Sequence, residues 1–499
     1  MAARLEAFVS PEGGVWVPLK RFRALTGRRW VDVRRELTHE KALYRGVARA
    51  QGWMRCRDSE LGAEWVVLPR PWTAQLRTPP QNFLRAGPPP PRPNPAPPGI
   101  ELYPNQELAV QRVLAEFSPE RCRVGAGVCY LEAQAGSGKT VIGCEVIRRV
   151  RTRAAAVAPR GIILEQWQET AQSLCAWPVL NLSSVSPEKR AAAVKDSTVV
   201  IISTQLALTL TPDFWSEFGL VVFDEAHFLA GSKWRDILWR CTARRILGLS
   251  ATPRGREDEC DQLVEWHLGT PVRVAELPGY DPVEVEFRGE LRVLQVNSEA
   301  LEGACRGPAH EALQALHNFP PWRALVVSEV RRLIEQPSNA LRWRDPDPDH
   351  AGPARVGVLV FCENREAVRL YLEALRNDAA VGAHVAAPEE DVQLLYGGCA
   401  SAALNAARSA RIVVTTFGYL SVGASIDHMT AIVYATTRRR QLYQIMCRAH
   451  RHTSDQSVKR QHVLLCGPRR SWREHARAMT KCAKTMFNFG VQIQEVQLR

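Results

Sequence analysis

The chain has no long hydrophobic run. Its longest apolar stretches, such as Val356-Gly357-Val358-Leu359-Val360-Phe361, are strand-length, whereas a bilayer span needs roughly 20 apolar residues. The opening Met1-Ala2-Ala3-Arg4-Leu5-Glu6 carries no apolar signal segment. A soluble, intracellular protein without a membrane partner is expected. The sequence also lacks any Cys-x-x-Cys pair. Its 13 cysteines are scattered from Cys56 to Cys482, which argues against a disulfide framework or structural zinc and for reduced, mostly buried thiols. His428, His450 and His452 have no cysteine or carboxylate partners at ligand spacing, so they read as surface histidines. No short-period repeat and no metal-nuclease cluster is evident.

Acidic residues are scarce at both ends. Residues 1–99 hold 17 Lys and Arg against 8 Asp and Glu, a net of +9. Residues 431–499 hold 14 against 3, a net of +11. The whole chain is +13, so residues 100–430 carry 13 − 20 = −7. Basic ends suit a polyanion, because cations placed on phosphates release counterions. The plainer reading of the same charge is solubility.

A hydrophobic content of 45% and a charged content of 23% are globular values, and 499 residues exceed one ordinary core. The run from Gly87 to Gly99, eight of whose residues are proline, can form neither helix nor inner strand. It reads as a semi-rigid linker after an N-terminal module, residues 1–86, containing Trp16, Trp30, Trp53, Trp65 and Trp72 among arginines. Arginine with aromatics suits phosphate contact and base stacking; tryptophan as core is the alternative. Residues 100–275 alternate apolar strands (Gly127–Glu132, Ala154–Ala158, Thr198–Ser203, Leu220–Asp224, Ile246–Leu249) with helical stretches. A second such series runs from Val356 through Val392–Tyr396, Ile412–Thr415, Ala431–Ala435 and His462–Leu465. Buried strands between amphipathic segments imply parallel sheets covered by helices. The expected fold class is α/β, with two parallel-sheet lobes (100–275 and 351–470), an unassigned connecting region (276–350) and a basic tail (471–499).

The chemistry-bearing motifs fall at strand ends. Ala133-Gln134-Ala135-Gly136-Ser137-Gly138-Lys139-Thr140 follows a strand and opens a helix whose Ile142, Val146 and Val150 share a stripe. Glycines let backbone N–H groups turn around phosphate oxygens at a helix N-terminus. Lys139 would reach the β- and γ-phosphates of ATP, and Thr140 would ligate Mg²⁺. Ala133 stands where the common pattern has glycine. Asp224-Glu225-Ala226-His227 follows the apolar Leu220–Phe223. Asp224 would hold Mg²⁺ through water, and Glu225 would orient and deprotonate the attacking water. Ser250 and Thr252 end another apolar strand, where hydroxyls could bond His227. Arg448 and Arg451, three apart on an expected helix, would stabilise γ-phosphate charge.

Taken in this order, these residues resemble the superfamily 2 DExH helicases, especially the A18-type helicases of large DNA viruses and their phage relatives, over residues 100–470. The resemblance implies two RecA-like lobes with nucleotide between them. It implies that Gln106, in Leu102–Gln106, recognises adenine, and that Gln444 with Arg448 and Arg451 forms the arginine motif. It assigns nucleic-acid contact to Pro159, Arg160, Gln166, Thr204, Thr415 and Thr416. Coupling falls to His227, Ser250, Thr252, Gly423 and Asp427. Two positions depart from the pattern: Cys447 replaces a glycine, and Asp427 stands one residue beyond the usual spacing from Gly423. The reading is an ATP-driven, Mg²⁺-dependent motor on DNA or RNA, with DNA favoured and replication or transcription proteins as possible partners. A duplex translocase that separates no strands, a non-catalytic binding scaffold and a nuclease-coupled motor are the rivals.

Overall fold

The structure is a computed structural model. It describes the chain except residues 1–5, 12, 44–45, 58–62, 90–99, 176, 257, 282–287, 346–355, 400, 421–425, 427, 440, 451–454, 456 and 499. Two compact units emerge, Met1–Pro282 and Val283–Arg499.

The first unit is built on a seven-stranded sheet. Its order is Val179–Asn181, Val199–Ser203, Ala154–Ala158, Leu220–Phe223, Arg245–Ser250, Val128–Glu132 and Val272–Arg273, and each adjacent pair is parallel. Ala154–Ala158 and Leu220–Phe223 are buried at every position. Helices cover both faces of such strands, so they read as unbroken apolar runs. The helices Lys139–Val150 and Gly161–Cys175 approach closely at Gly143. A Cβ there would lie 2.4 Å from the ring of the fully buried Trp167, so this crossing tolerates only glycine.

The N-terminal module has a five-stranded sheet ordered Met54–Arg57, Glu64–Leu68, Val15–Pro18, Phe8–Val9 and Gln81–Asn82, plus the hairpin Thr38–Leu43/Gly46–Gln51. Its core joins Val9, Val15, Val17, Phe22, Val66, Leu68 and Trp72. Trp65 and Trp72 are buried; Trp53 lies under the Arg34 guanidinium at 5.4 Å. The module is not a body held off by a tether, because it belongs to the first compact unit. Buried Arg70 donates to the carbonyls of Gly125 (2.8 Å), Ala243 (2.6 Å) and Arg244 (2.5 Å). The Pro88 carbonyl accepts from the Arg153 amide. Residues 90–99 of the expected linker lie outside the described residues.

The second unit carries another seven-stranded parallel sheet, ordered Val392–Leu395, Ile412–Thr416, Gly357–Cys362, Met429–Tyr434, Arg460–Cys466, Gly289–Asn297 and Gly490–Gln497. Two of its strands come from segments expected to lie outside the lobe. Gly289–Asn297 belongs to the unassigned region. Gly490–Gln497, preceded by the helix Arg470–Phe487, occupies what reads as a tail. Both strands mix polar with apolar residues instead of running apolar: Gly490–Gln497 forms the sheet edge and is largely exposed, whereas Gly289–Asn297 is paired on both sides and leaves its polar residues half-buried or exposed. The helix Pro320–Ile334 adds Trp322, Val326, Val330 and Leu333 to the core.

Candidate functional site

Three neighbouring strands of the first unit, Leu220–Phe223, Arg245–Ser250 and Val128–Glu132, run parallel. Their C-terminal ends therefore bring Asp224–His227, Ser250–Thr252 and Ala133–Thr140 to one edge. Open parallel sheets bind ligands at this edge.

The loop from Ala133 to Gly138 leads into the helix Lys139–Val150. Gly136 (φ 87°) and Gly138 (φ 76°) take left-handed conformations that side chains disfavour. Ala133 takes no positive φ, so its methyl group is accommodated where the common pattern has glycine. Gln106 braces the loop: its Nε2 donates to the Ser137 carbonyl at 3.0 Å, and its Oε1 accepts from the Tyr103 amide at 3.1 Å. A Cβ at residue 138 would lie 2.4 Å from Gln106 Nε2. Thr140 is buried in the first helical turn. A helix N-terminus with amides turned inward suits a polyphosphate.

Asp224 is buried, and its pKa is raised above the ordinary carboxylate value, by desolvation first and then by the Glu225 charge. Lys139, the Trp167 indole and the Glu225 amide oppose that rise. Trp167 Nε1 donates to Asp224 Oδ2 at 2.9 Å, and the Glu225 amide donates to Oδ1 at 2.8 Å. A carboxylate and a threonine hydroxyl fit the oxygen-donor chemistry of Mg²⁺, and a cation there would relieve the burial that raises the Asp224 pKa. Glu225 adopts φ 49°, a strained backbone for a residue with a side chain and a common mark of functional positions. Neither this strain nor the Trp167 contact has a signal in the motif itself.

Ser250 joins the two loops. Its carbonyl accepts from the Ala133 amide at 3.0 Å, its hydroxyl accepts from the Thr252 amide at 3.0 Å, and the same hydroxyl shares a 3.0 Å hydrogen bond with His227 Nδ1. His227 Nδ1 also lies 3.3 Å from Glu225 Oε2. Burial pushes the His227 pKa down to about 4, so the ring is neutral at pH 7 and the Glu225 contact is not an ion pair.

The expected strand contacts divide. Pro159, Arg160 and Gln166 are partly exposed. Thr204, Thr415 and Thr416 have buried side chains. The Thr415 hydroxyl donates to the Leu395 carbonyl at 2.6 Å inside the second sheet. Trp167, next to Gln166 in the chain, reaches Asp224. In the second unit, Gln444 and Arg448 are buried on consecutive turns of Leu442–Met446 and Cys447–Ala449. Cys447 has φ −60° and is buried, so this position does not demand glycine. Arg438 lies over the Phe417 ring at 5.2 Å and 3.4 Å from Glu363. His450 is buried, not a surface histidine. Arg451, Gly423 and Asp427 lie outside the described residues.

Comparison with known proteins agrees with this geometry. Residues 99–255 match the family model "Type III restriction enzyme, res subunit". The chain is similar to an African swine fever virus protein (Tick/Malawi isolate) named "Putative ATP-dependent RNA helicase QP509L". They are 30% identical over 368 residues, 72% of this chain and 68% of that one. The Badajoz counterpart is 30% identical over 343 residues, and the chain spans 64% of its length. A "Putative helicase 109L" of Invertebrate iridescent virus 3 is 25% identical over 144 residues, 28% of this chain and 44% of that one. Among solved structures, Mycobacterium smegmatis helicase Lhr bound to ssDNA and AMP-PNP is similar in fold, with a TM-score of 0.52 and 16% identity over 79% of this chain and 49% of that one. The chain belongs to the superfamily 2 helicases of viral type, and its two seven-stranded parallel sheets are RecA-like lobes.

Proposed function

We propose that this protein is an ATP-driven helicase or translocase on nucleic acid. The observation carrying this reading is the convergence of Ala133–Thr140, Asp224–His227 and Ser250–Thr252 at one sheet edge, tied together through Ser250. Lys139 and the loop amides bind the β- and γ-phosphates of ATP, and Gln106 holds the loop while recognising adenine. Thr140 and Asp224 would hold Mg²⁺, which would supply charge neutralisation at the phosphates. Glu225 orients the attacking water and takes its proton. Gln444, Arg448 and Arg451 stabilise charge developing on the γ-phosphate. Hydrogen bonds through Ser250 connect His227 and Thr252 with the phosphate loop, a route by which nucleotide state is sensed; Gly423 and Asp427 take the coupling role the family resemblance assigns them. Pro159, Arg160 and Gln166 touch the strand.

Lys139→Ala abolishes polynucleotide-stimulated ATPase, and Glu225→Gln still binds ATP but barely turns over; wild-type turnover in either variant removes the site assignment. The viral relatives are named RNA helicases, whereas the A18-type resemblance favours DNA. ATPase stimulation by single-stranded DNA, duplex DNA and RNA at matched ionic strength decides between them. A strand-displacement assay alongside separates unwinding from duplex translocation.

A further inference from the structure

The helix Arg470–Phe487 belongs to none of the motifs above, yet it is the most one-sided basic element of the second unit. It carries five cations and one acid in 18 residues. Trp472, Ala476, Met479 and Ala483 are buried at helical spacing, which fixes the helix on the sheet. Arg473, Arg477, Lys481 and Lys484 are exposed at offsets of 0, 4, 8 and 11, one stripe on the solvent face. At about 1.5 Å per residue the stripe is roughly 16 Å long. Its single acid, Glu474, lies 3.2 Å from Arg470 at the helix start, leaving the stripe uncompensated. Arg473 reaches the Asn297 side chain. Among the described residues, no ion pair engages Arg477, Lys481 or Lys484. Arg439 adds to the field: after burial, its charge is the next cause holding the His475 pKa below the ordinary value.

Like charges four apart destabilise the helix that bears them. A row of four therefore works against folding and is compensated when anions neutralise it. The helix has no free apolar face for membrane insertion, because that face is packed on the sheet.

We propose that this stripe is a nucleic-acid contact surface: Arg473, Arg477, Lys481 and Lys484 grip the phosphate backbone without reading sequence. The proposal rests on the helicase reading and adds a foothold outside its motifs. The test is fluorescence anisotropy of labelled single-stranded and duplex oligonucleotides against the full-length chain over a salt series. The quadruple variant R473Q/R477Q/K481Q/K484Q is compared with wild type. Four lost contacts make the log–log salt slope shallower by about 3.6 on duplex DNA or about 2.8 on single strands. ATPase without polynucleotide stays unchanged, and the melting midpoint holds or rises as the like-charge repulsion is relieved. R473K/R477K, which keeps the charge, retains the wild-type slope, and K481E/K484E provides a second disruption. A quadruple variant with the wild-type slope and affinity overturns the proposal while leaving the helicase reading intact. A wild-type protein that binds neither oligonucleotide, or that binds an acidic polypeptide equally well through the same four residues, overturns it too; of these, only the failure to bind nucleic acid also removes the helicase reading.

Discussion

At the scale of single residues, the site depends on contacts that its motifs do not spell. Trp167 is the clearest. Its ring fills the crossing beside Gly143, and its N–H reaches the carboxylate assigned to the metal. Trp167→Phe keeps most of the ring and removes the donor. Leaving a buried carboxylate oxygen without it costs about 1–3 kcal/mol. Stimulated ATPase should fall about tenfold, the equivalent of roughly 1.4 kcal/mol at the barrier, and more Mg²⁺ should be needed for half-maximal rate. A Mg²⁺ titration identical to wild type would show that the tryptophan only packs. The loop glycines, Lys139, Asp224 and Glu225 are legible from the sequence because phosphate chemistry demands those residue types at those spacings. The Trp167 donor is not, since 57 residues separate it from Asp224 and only the packing of the helix Gly161–Cys175 on the sheet brings them together.

Among elements, strands buried on both faces declare themselves and strands with polar residues interleaved do not. Ala154–Ala158 and Leu220–Phe223 are apolar throughout. Gly289–Asn297 and Gly490–Gln497 mix Gln, Glu, Arg and Asn into an alternating pattern, and so read as connection and tail. The N-terminal module shows the same blindness to packing. A proline-rich segment suggests separation, yet Arg70 inserts into three backbone carbonyls of the neighbouring domain. Burial pulls the Arg70 pKa down to about 10, so it is still a cation at neutral pH. Arg70→Met removes hydrogen bonds from a charged donor, each worth about 1.5–3 kcal/mol, and strands three carbonyls. Chemical denaturation should show the Met1–Pro282 unit losing several kcal/mol with the transition of Val283–Arg499 unmoved. A melt indistinguishable from wild type would mean that other contacts carry the docking.

On the scale of the whole molecule, buried histidines set the acid limit. Burial holds His227 and His317 down to about 4, and His267 and His462 down to about 3. Unfolding restores each towards its ordinary value near 6.5, so below that pH the unfolded chain binds more protons. The stability these neutral rings allow is complete above about pH 6.5 and declines as pH falls towards 4, by up to roughly 1.4 kcal/mol per histidine per pH unit. His227 and His267 lie in one compact unit, and His317 and His462 in the other, so both units should weaken together. Thermal melts between pH 7.5 and 5 should show a falling midpoint; a flat profile would mean these histidines are hydrated.

The sequence alone determined the two parallel sheets, the phosphate loop and the carboxylate pair, because each follows from local rules: apolar runs for strands buried on both faces, glycines for turned amides, acids at strand ends. Tertiary structure alone decided that the module is docked, that the last strands complete the second sheet and that Trp167 holds Asp224. These depend on surfaces meeting across long separations in the chain, and no local pattern records what a side chain will touch.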